Sequence, residues 1–283
     1  MSAFFDILDL DDSGSLLPAV SFSVAGFPLT NLQAIYLFED GAVGSNPTSA
    51  LDSSGNGNHA VAVTGSSITR IAGGIESGSS LNNGFLFQTP VAYAGSYTIF
   101  GVTRNRVPNP TSGSFPVIHT ASGSYPGSGL GAAVGENHLG TRGAFLLNND
   151  GAASTNDTTL GVFNKNTSGV KWAGTTFVRV TTPNLAPRQT WNAFALSVNA
   201  VTGEVILRSN GGTVTFTSLS ELTTYFAGAG FHAFGYSRYV NSNITMGDMG
   251  LFGIYSGTSS IATLDALITA AKSRMAIRGI SAV

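Results

Sequence analysis

The segment Ala34-Ile35-Tyr36-Leu37-Phe38-Glu39-Asp40 reads as a strand, and the residues that follow it decide the fold. A long turn, Asp52-Ser53-Ser54-Gly55-Asn56-Gly57-Asn58-His59, leads into the alternating run Ala60-Val61-Ala62-Val63. Gly84-Phe85-Leu86-Phe87 comes next, and then Ser96-Tyr97-Thr98-Ile99-Phe100-Gly101-Val102-Thr103-Arg104. Each is a short β-like run bounded by turn-forming residues.

The pattern continues outward from there. Further strands are expected at Phe115–Thr120, Leu130–Val134, Gly143–Leu147, Gly161–Asn164, Thr175–Thr181, Trp191–Asn199, Glu204–Ser209, Thr213–Thr217, Gly230–Tyr239 and Ile244–Tyr255. Asn199 to Gly203 forms a tight connection, with Gly203 free to take φ > 0. Only one helix is convincing, over about 259–278. Ser259 or Ser260 caps it, Asp265 is expected in its first turn, and Ile261, Leu264, Leu267, Ile268, Ala271 and Met275 recur at helical spacing. Lys272, Arg274 and Arg278 fall in its last turns and Gly279 stops it. So many strands at close spacing indicate a two-sheet sandwich rather than βαβ units.

The order of these runs resembles a laminin-G-like or concanavalin A-like lectin domain, of the kind found in bacteriophage virion proteins. The L-x-x-Y-x-F strand, the D-x-SGNGN-H turn and the "y-T-i-f-x-v" strand match its entry half. The 191–212 hairpin and the closing Met249–Tyr255 strand with its helix match its second half. The resemblance covers roughly residues 31 to 278. It implies an all-β, concanavalin A-like jelly-roll sandwich of two antiparallel sheets with one C-terminal helix. Residues 31–283 would form that body, and residues 1–30 a separate arm.

Composition narrows the function. Charged residues are 10% of the 283, against about 25% in an ordinary globular domain, while hydrophobic residues make up 42%. Thirteen scattered Lys and Arg argue against nucleic-acid binding. Without cysteine, disulfides and thiolate metal sites are excluded. No run of about 18 apolar residues suggests membrane insertion. Met1 to Asp9 is acidic and lacks a basic leader region, so it does not read as a signal peptide. The arm mixes Asp6, Asp9, Asp11 and Asp12 with Phe4, Phe5, Ile7, Leu8 and Leu10, a composition suited to packing on the body or on other proteins. Asp9 to Gly14 is not an EF-hand loop, because its twelfth position is Val20 rather than Glu.

Two readings compete for the Asp52–Asn58 turn. Asp52, Asn56 and Asn58, completed by Asp248, would suit Ca²⁺. The alternative is Asx-turns on Asp52 and Asn56, with Gly55 and Gly57 at positive φ. For catalysis the sequence offers little. The E-x-D-x-x-E pattern of glycosidases sharing this sandwich is absent, and Glu39, Glu76, Glu136, Glu204 and Glu221 are isolated. Glu39 and Asp40, as neighbours in one strand, would point to opposite faces. The four histidines lack ligand spacing, and Gly127 to Gly131 has no following helix to make a phosphate loop.

Sugar binding would use aromatics beside amide or guanidinium groups, for which Tyr125, Trp172, Tyr236, Arg238, Tyr239 and Asn241 are the candidates, with the Asn148–Lys171 loop as a recognition surface. The expectation is a non-catalytic module of a phage-like particle that binds host-surface glycan. The arm would contact other virion proteins, and acidic arm and basic helix end would meet in a homo-oligomer. The alternatives are a purely structural virion component and, more distantly, a polysaccharide-degrading enzyme.

Overall fold

The computed structural model describes residues 23–63, 66–78, 84–93, 95–106, 117–122, 143–149, 159–164, 178–179, 190–209, 212–217, 230–237 and 246–283. The strand expected over Leu130–Val134 lies outside them.

In chain order the strands begin with β1 (Ser23–Val24), β2 (Phe27–Pro28), β3 (Leu32–Tyr36), β4 (Ser49–Ala50), β5 (Ala60–Ala62) and β6 (Ile68–Ile71). There follow β7 (Gly74–Ser77), β8 (Phe85–Tyr93), β9 (Tyr97–Asn105), β10 (Val117–Ser122), β11 (Gly143–Asn149) and β12 (Thr159–Asn164). The last are β13 (Val178–Arg179), β14 (Asn192–Val198), β15 (Glu204–Ser209), β16 (Gly212–Thr217), β17 (Gly230–Ser237) and β18 (Gly247–Ser256), before helix α1 (Ile261–Ile277).

Among the described residues these strands form two large antiparallel sheets. The first has the order β13-β12-β11-β10-β17-β8-β5-β4. The second has the order β16-β15-β14-β9-β18-β7-β6, and β3 also pairs with β18. The chain is thus an all-β jelly-roll sandwich closed by one C-terminal helix. The β6–β7 hairpin went unrecognised in the sequence, since small residues dilute its alternation.

Between the sheets lies an aromatic core. Phe87 and Phe85 of β8 and Phe234 of β17 meet Phe194 of β14 and Phe252 of β18, all fully buried. The Phe234 ring stacks on Phe252 at 4.6 Å and on Phe87 at 5.4 Å. The second sheet is also covered on its other face, by α1. Leu264, Leu267, Ile268, Ala271 and Met275 pack there on Phe100, Val102, Ala193, Ala195 and Leu251. Each large apolar side chain so buried stabilises by roughly 1.5–3 kcal/mol. Coverage on both faces explains why β14 is buried along its whole length and reads as a near-continuous apolar run.

Ser260 caps α1, its hydroxyl accepting from the Thr263 N–H at 3.2 Å. No acid lies in the first turn. Asp265, expected there, sits one turn later and forms an ion pair with Arg208 of β15 at 2.6 Å. The strand expected over 34–40 stops at Tyr36, because Phe38 takes φ +52° and turns the chain. Glu39 and Asp40 therefore belong to a loop, where Glu39 binds Arg274 and Arg278 of the helix end. Of the first thirty residues, those described belong to the body: Phe27 is fully buried and its ring lies 4.7 Å from Phe100.

Candidate functional site

The Asp52–His59 turn closes an exposed sheet edge. One edge of β3 pairs with β18, and among the described residues the other has no neighbouring strand of its sheet. The turn supplies that neighbour from side chains and from its own backbone, Asp52 forming an isolated antiparallel bridge with Tyr36. Asp52 Oδ1 accepts the Ile35 N–H at 3.0 Å, and the Ser53 N–H donates to the Ile35 carbonyl at 2.8 Å. The Asn56 and Asn58 amides donate to the carbonyls of Leu32 and Gln33 at 2.7 and 2.8 Å. An unpaired edge leaves backbone groups wanting partners, and this turn satisfies them without extending the sheet.

The same turn consumes its own carboxylate. Asp52 accepts four hydrogen bonds at 2.8–3.0 Å, from Ile35 N, Ser54 N, Ser54 Oγ and Asn58 N. The Asp52 N–H in turn donates to His59 Nδ1 at 2.9 Å, which fixes the imidazole's orientation. Gly55 and Gly57 take φ +90° and +76°. This is the Asx-turn arrangement, and it leaves no lone pair of Asp52 aimed at a shared cation.

Asp248 does not join this turn. It is fully buried in β18, opposite Arg104 of β9 and Glu76 of β7. Arg104 Nε donates to its Oδ2 at 2.6 Å, and Arg106 Nε lies 2.6 Å from Oδ1. Burial pushes this carboxyl above its ordinary range, and Arg106 and Arg104 pull against that. The Arg104 guanidinium also covers the Trp191 ring at 4.6 Å. The structure does not bring the proposed quartet of Asp52, Asn56, Asn58 and Asp248 together: N–H and O–H donors hold one acid, guanidiniums the other. Among the described residues, no three His, Asp or Glu side chains come together as metal ligands would. The arginine pair was missed in the sequence. Arg104-Asn105-Arg106 puts two cations on one face of an extended strand, a spacing that calls for an acid across the sheet.

Of the sugar-binding candidates, Tyr125, Trp172, Arg238, Tyr239 and Asn241 lie outside the described residues, while Tyr236 stands in β17 opposite Phe85. His232 is buried in β17, its ring edge-on to Tyr97 at 4.8 Å, and burial pushes its pKa down to about 3. At the rim are clefts of about 270 and 360 Å³ whose described lining residues are all uncharged. One lies between Pro28 and Thr263, the other beside Asn46 and Ser67.

Two stacked antiparallel sheets, one of them sealed by a helix, define a jelly-roll β-sandwich. No protein-family model and no curated protein matches the chain. Among solved structures, its fold is similar to the binding domain of botulinum neurotoxin DC in complex with rat synaptotagmin II. That match has a TM-score of 0.53 and 12% identity, over 85% of this chain and 52% of that one. It is also similar to the Emp47p carbohydrate recognition domain (TM-score 0.54, 11% identity, 81% of this chain and 98% of that one). A third is domain 4 of AbnA, a GH43 extracellular arabinanase from Geobacillus stearothermophilus, in complex with arabinotriose (TM-score 0.51, 15% identity, 85% and 98%). The chain thus spans about half the length of the neurotoxin domain, and at these identities the likeness is one of fold.

Proposed function

We propose that the chain is a non-catalytic module that binds carbohydrate on a host-cell surface, carried by a phage-like particle as a tail, fibre or head-spike component. The observation that carries this reading is the division of charge. Asp52, Glu39, Asp248 and Asp265 are taken up by partners within the chain, and the rim clefts are lined by uncharged residues. Glycoside hydrolysis needs two carboxylates facing each other across a cleft, about 5 to 9.5 Å apart. Acids held by internal hydrogen-bond donors or guanidiniums do not serve that chemistry. Two of the similar domains are a carbohydrate recognition domain and one solved with arabinotriose, which supports sugar as the ligand class.

The particle assignment rests on the acidic, apolar composition of the first thirty residues, which suits docking to other virion proteins. Homo-oligomerisation through the basic end of α1 has to compete with Glu39, which already holds Arg274 and Arg278. A glycan array probed with the full chain tests the central reading. Saturable binding to host-surface glycans is the expected result. A blank array, with normal incorporation into particles, would replace it with a purely structural role.

A further inference from the structure

We infer that the rim cleft between the β2–β3 turn and the β18–α1 junction is the carbohydrate subsite, and that it takes an uncharged sugar ring. This rests on the carbohydrate-binding reading above and goes further by naming the place and the ligand class. Seven neutral Asn, Ser and Thr side chains line the cleft, Asn31, Ser256 and Thr258 among them, beside apolar surface from Tyr255 and Leu267. No Asp, Glu, Lys or Arg is among its described lining residues. A carboxylated or sulfated sugar would find no counter-ion there, and a cationic ligand would find no carboxylate. Hydroxyl and amide groups over a small apolar floor match a sugar, whose rim of hydroxyls surrounds an apolar ring face. At about 270 Å³, the cleft lies at the small end of ligand sites, which suits a single terminal residue rather than a long chain.

Both walls are fixed before any ligand arrives. The Tyr255 hydroxyl donates to the Pro28 carbonyl at 2.9 Å, and the Ser256 N–H donates to the Asn31 carbonyl at 2.9 Å. These bonds clamp the β2–β3 turn onto the end of β18. The opposite wall is tied down by Thr98, whose hydroxyl donates to the Gly257 carbonyl at 3.0 Å, and by the Ser259 N–H, which donates to Ser197 Oγ at 2.9 Å. None of these bonds uses the side chains of Asn31 or Thr258, while the Thr263 hydroxyl is bonded to Ser260 Oγ at 3.0 Å. The wall bonds hold the cleft open and leave the Asn31 and Thr258 side chains to face a ligand. A pre-organised site spends little binding energy on ordering itself.

The test is chemical-shift mapping on the full ¹⁵N-labelled chain. The probes are glucose, galactose, mannose, N-acetylglucosamine and arabinose, with glucuronic acid and N-acetylneuraminic acid as charged members. At least one neutral sugar should shift the amides of Asn31, Ser256 and Thr258, while the charged sugars leave them unmoved. Thr258→Trp, which fills the cleft without breaking any of the bonds that hold its walls, should weaken that sugar at least tenfold. Ser256→Trp is the second filling variant, and Val201→Trp, on a distant exposed turn, should change nothing. If a neutral sugar shifts only amides elsewhere, the cleft assignment is overturned and the carbohydrate reading stands. Equal response to charged sugars overturns the ligand class. No response to any sugar, with a blank glycan array, overturns both.

Discussion

Asp52 and Asp248 are both buried carboxylates, yet the fold stabilises them by opposite means. Neutral dipoles surround Asp52: two loop N–H groups, one strand N–H and a serine hydroxyl. Two full positive charges flank Asp248. At Asp52, three of the hydrogen bonds to the carboxylate are local and fix the shape of one turn, and the fourth ties that turn to Ile35 of β3. Across three strands, the ion pairs at Asp248 hold the end of β9 to β18 and β7. A buried charge persists only where it is compensated, and the same residue type meets that demand through geometry in one place and through counter-charge in the other.

The largest effect should come from breaking the charged arrangement. Asp248→Ala leaves two guanidiniums side by side without their acid and is expected to cost about 4 kcal/mol in denaturant unfolding. Asp52→Ala should cost less, about 2 kcal/mol, because its half-buried loop donors can turn to water while only the Ile35 N–H is left buried. A reversed order would show that the turn, not the ion cluster, dominates the stability of this sheet.

His232 probes the same contrast with a group that burial keeps neutral. Its pKa falls from 6.5 to about 3 on folding, so the unfolded chain binds the extra proton in that window. Stability is therefore full above about pH 6.5 and is lost as pH falls toward 3, by about 1.4 kcal/mol per unit. The difference between the parent chain and His232→Gln, followed by urea unfolding from pH 7 to 4, isolates this slope, and equal slopes would contradict it.

Smaller still is the surface pair. Asp265→Ala, with its acid half-exposed, should change stability by less than about 1 kcal/mol, and high salt should reduce that further. Chelation sits at the bottom of the order. EDTA should leave the melting temperature unchanged, because hydrogen-bond donors already occupy the Asp52 oxygens. A drop restored by Ca²⁺ would mean that the turn rearranges around a cation after all.

Much of the architecture was legible from periodicity. The strands at 192–198 and 204–209 and the helix at 261–277 fall where alternation and the i, i+3, i+4 spacing put them, since those patterns record which side is buried. The limits of β3 were not legible, because nothing local marks Phe38 as left-handed. Its φ of +52° is compensated by packing near Phe87 and Phe234, strands distant in sequence. The candidate site was harder still. Asp, Asn and Ser in a glycine-rich turn look alike whether their oxygens face a cation or their own backbone.

By itself, the sequence determined the class of fold, two antiparallel sheets and a capped helix, because each element writes its burial into a short repeating pattern. It also determined that little charge is available for function. Tertiary structure alone decided what each acid is for and where a neutral cleft opens. Asp248 meets Arg104 across neighbouring strands, and the cleft joins Asn31 to Thr263, more than two hundred residues apart. Hydrogen bonds and ion pairs act over about 3 Å in space, and no local pattern records which distant residues the fold brings that close.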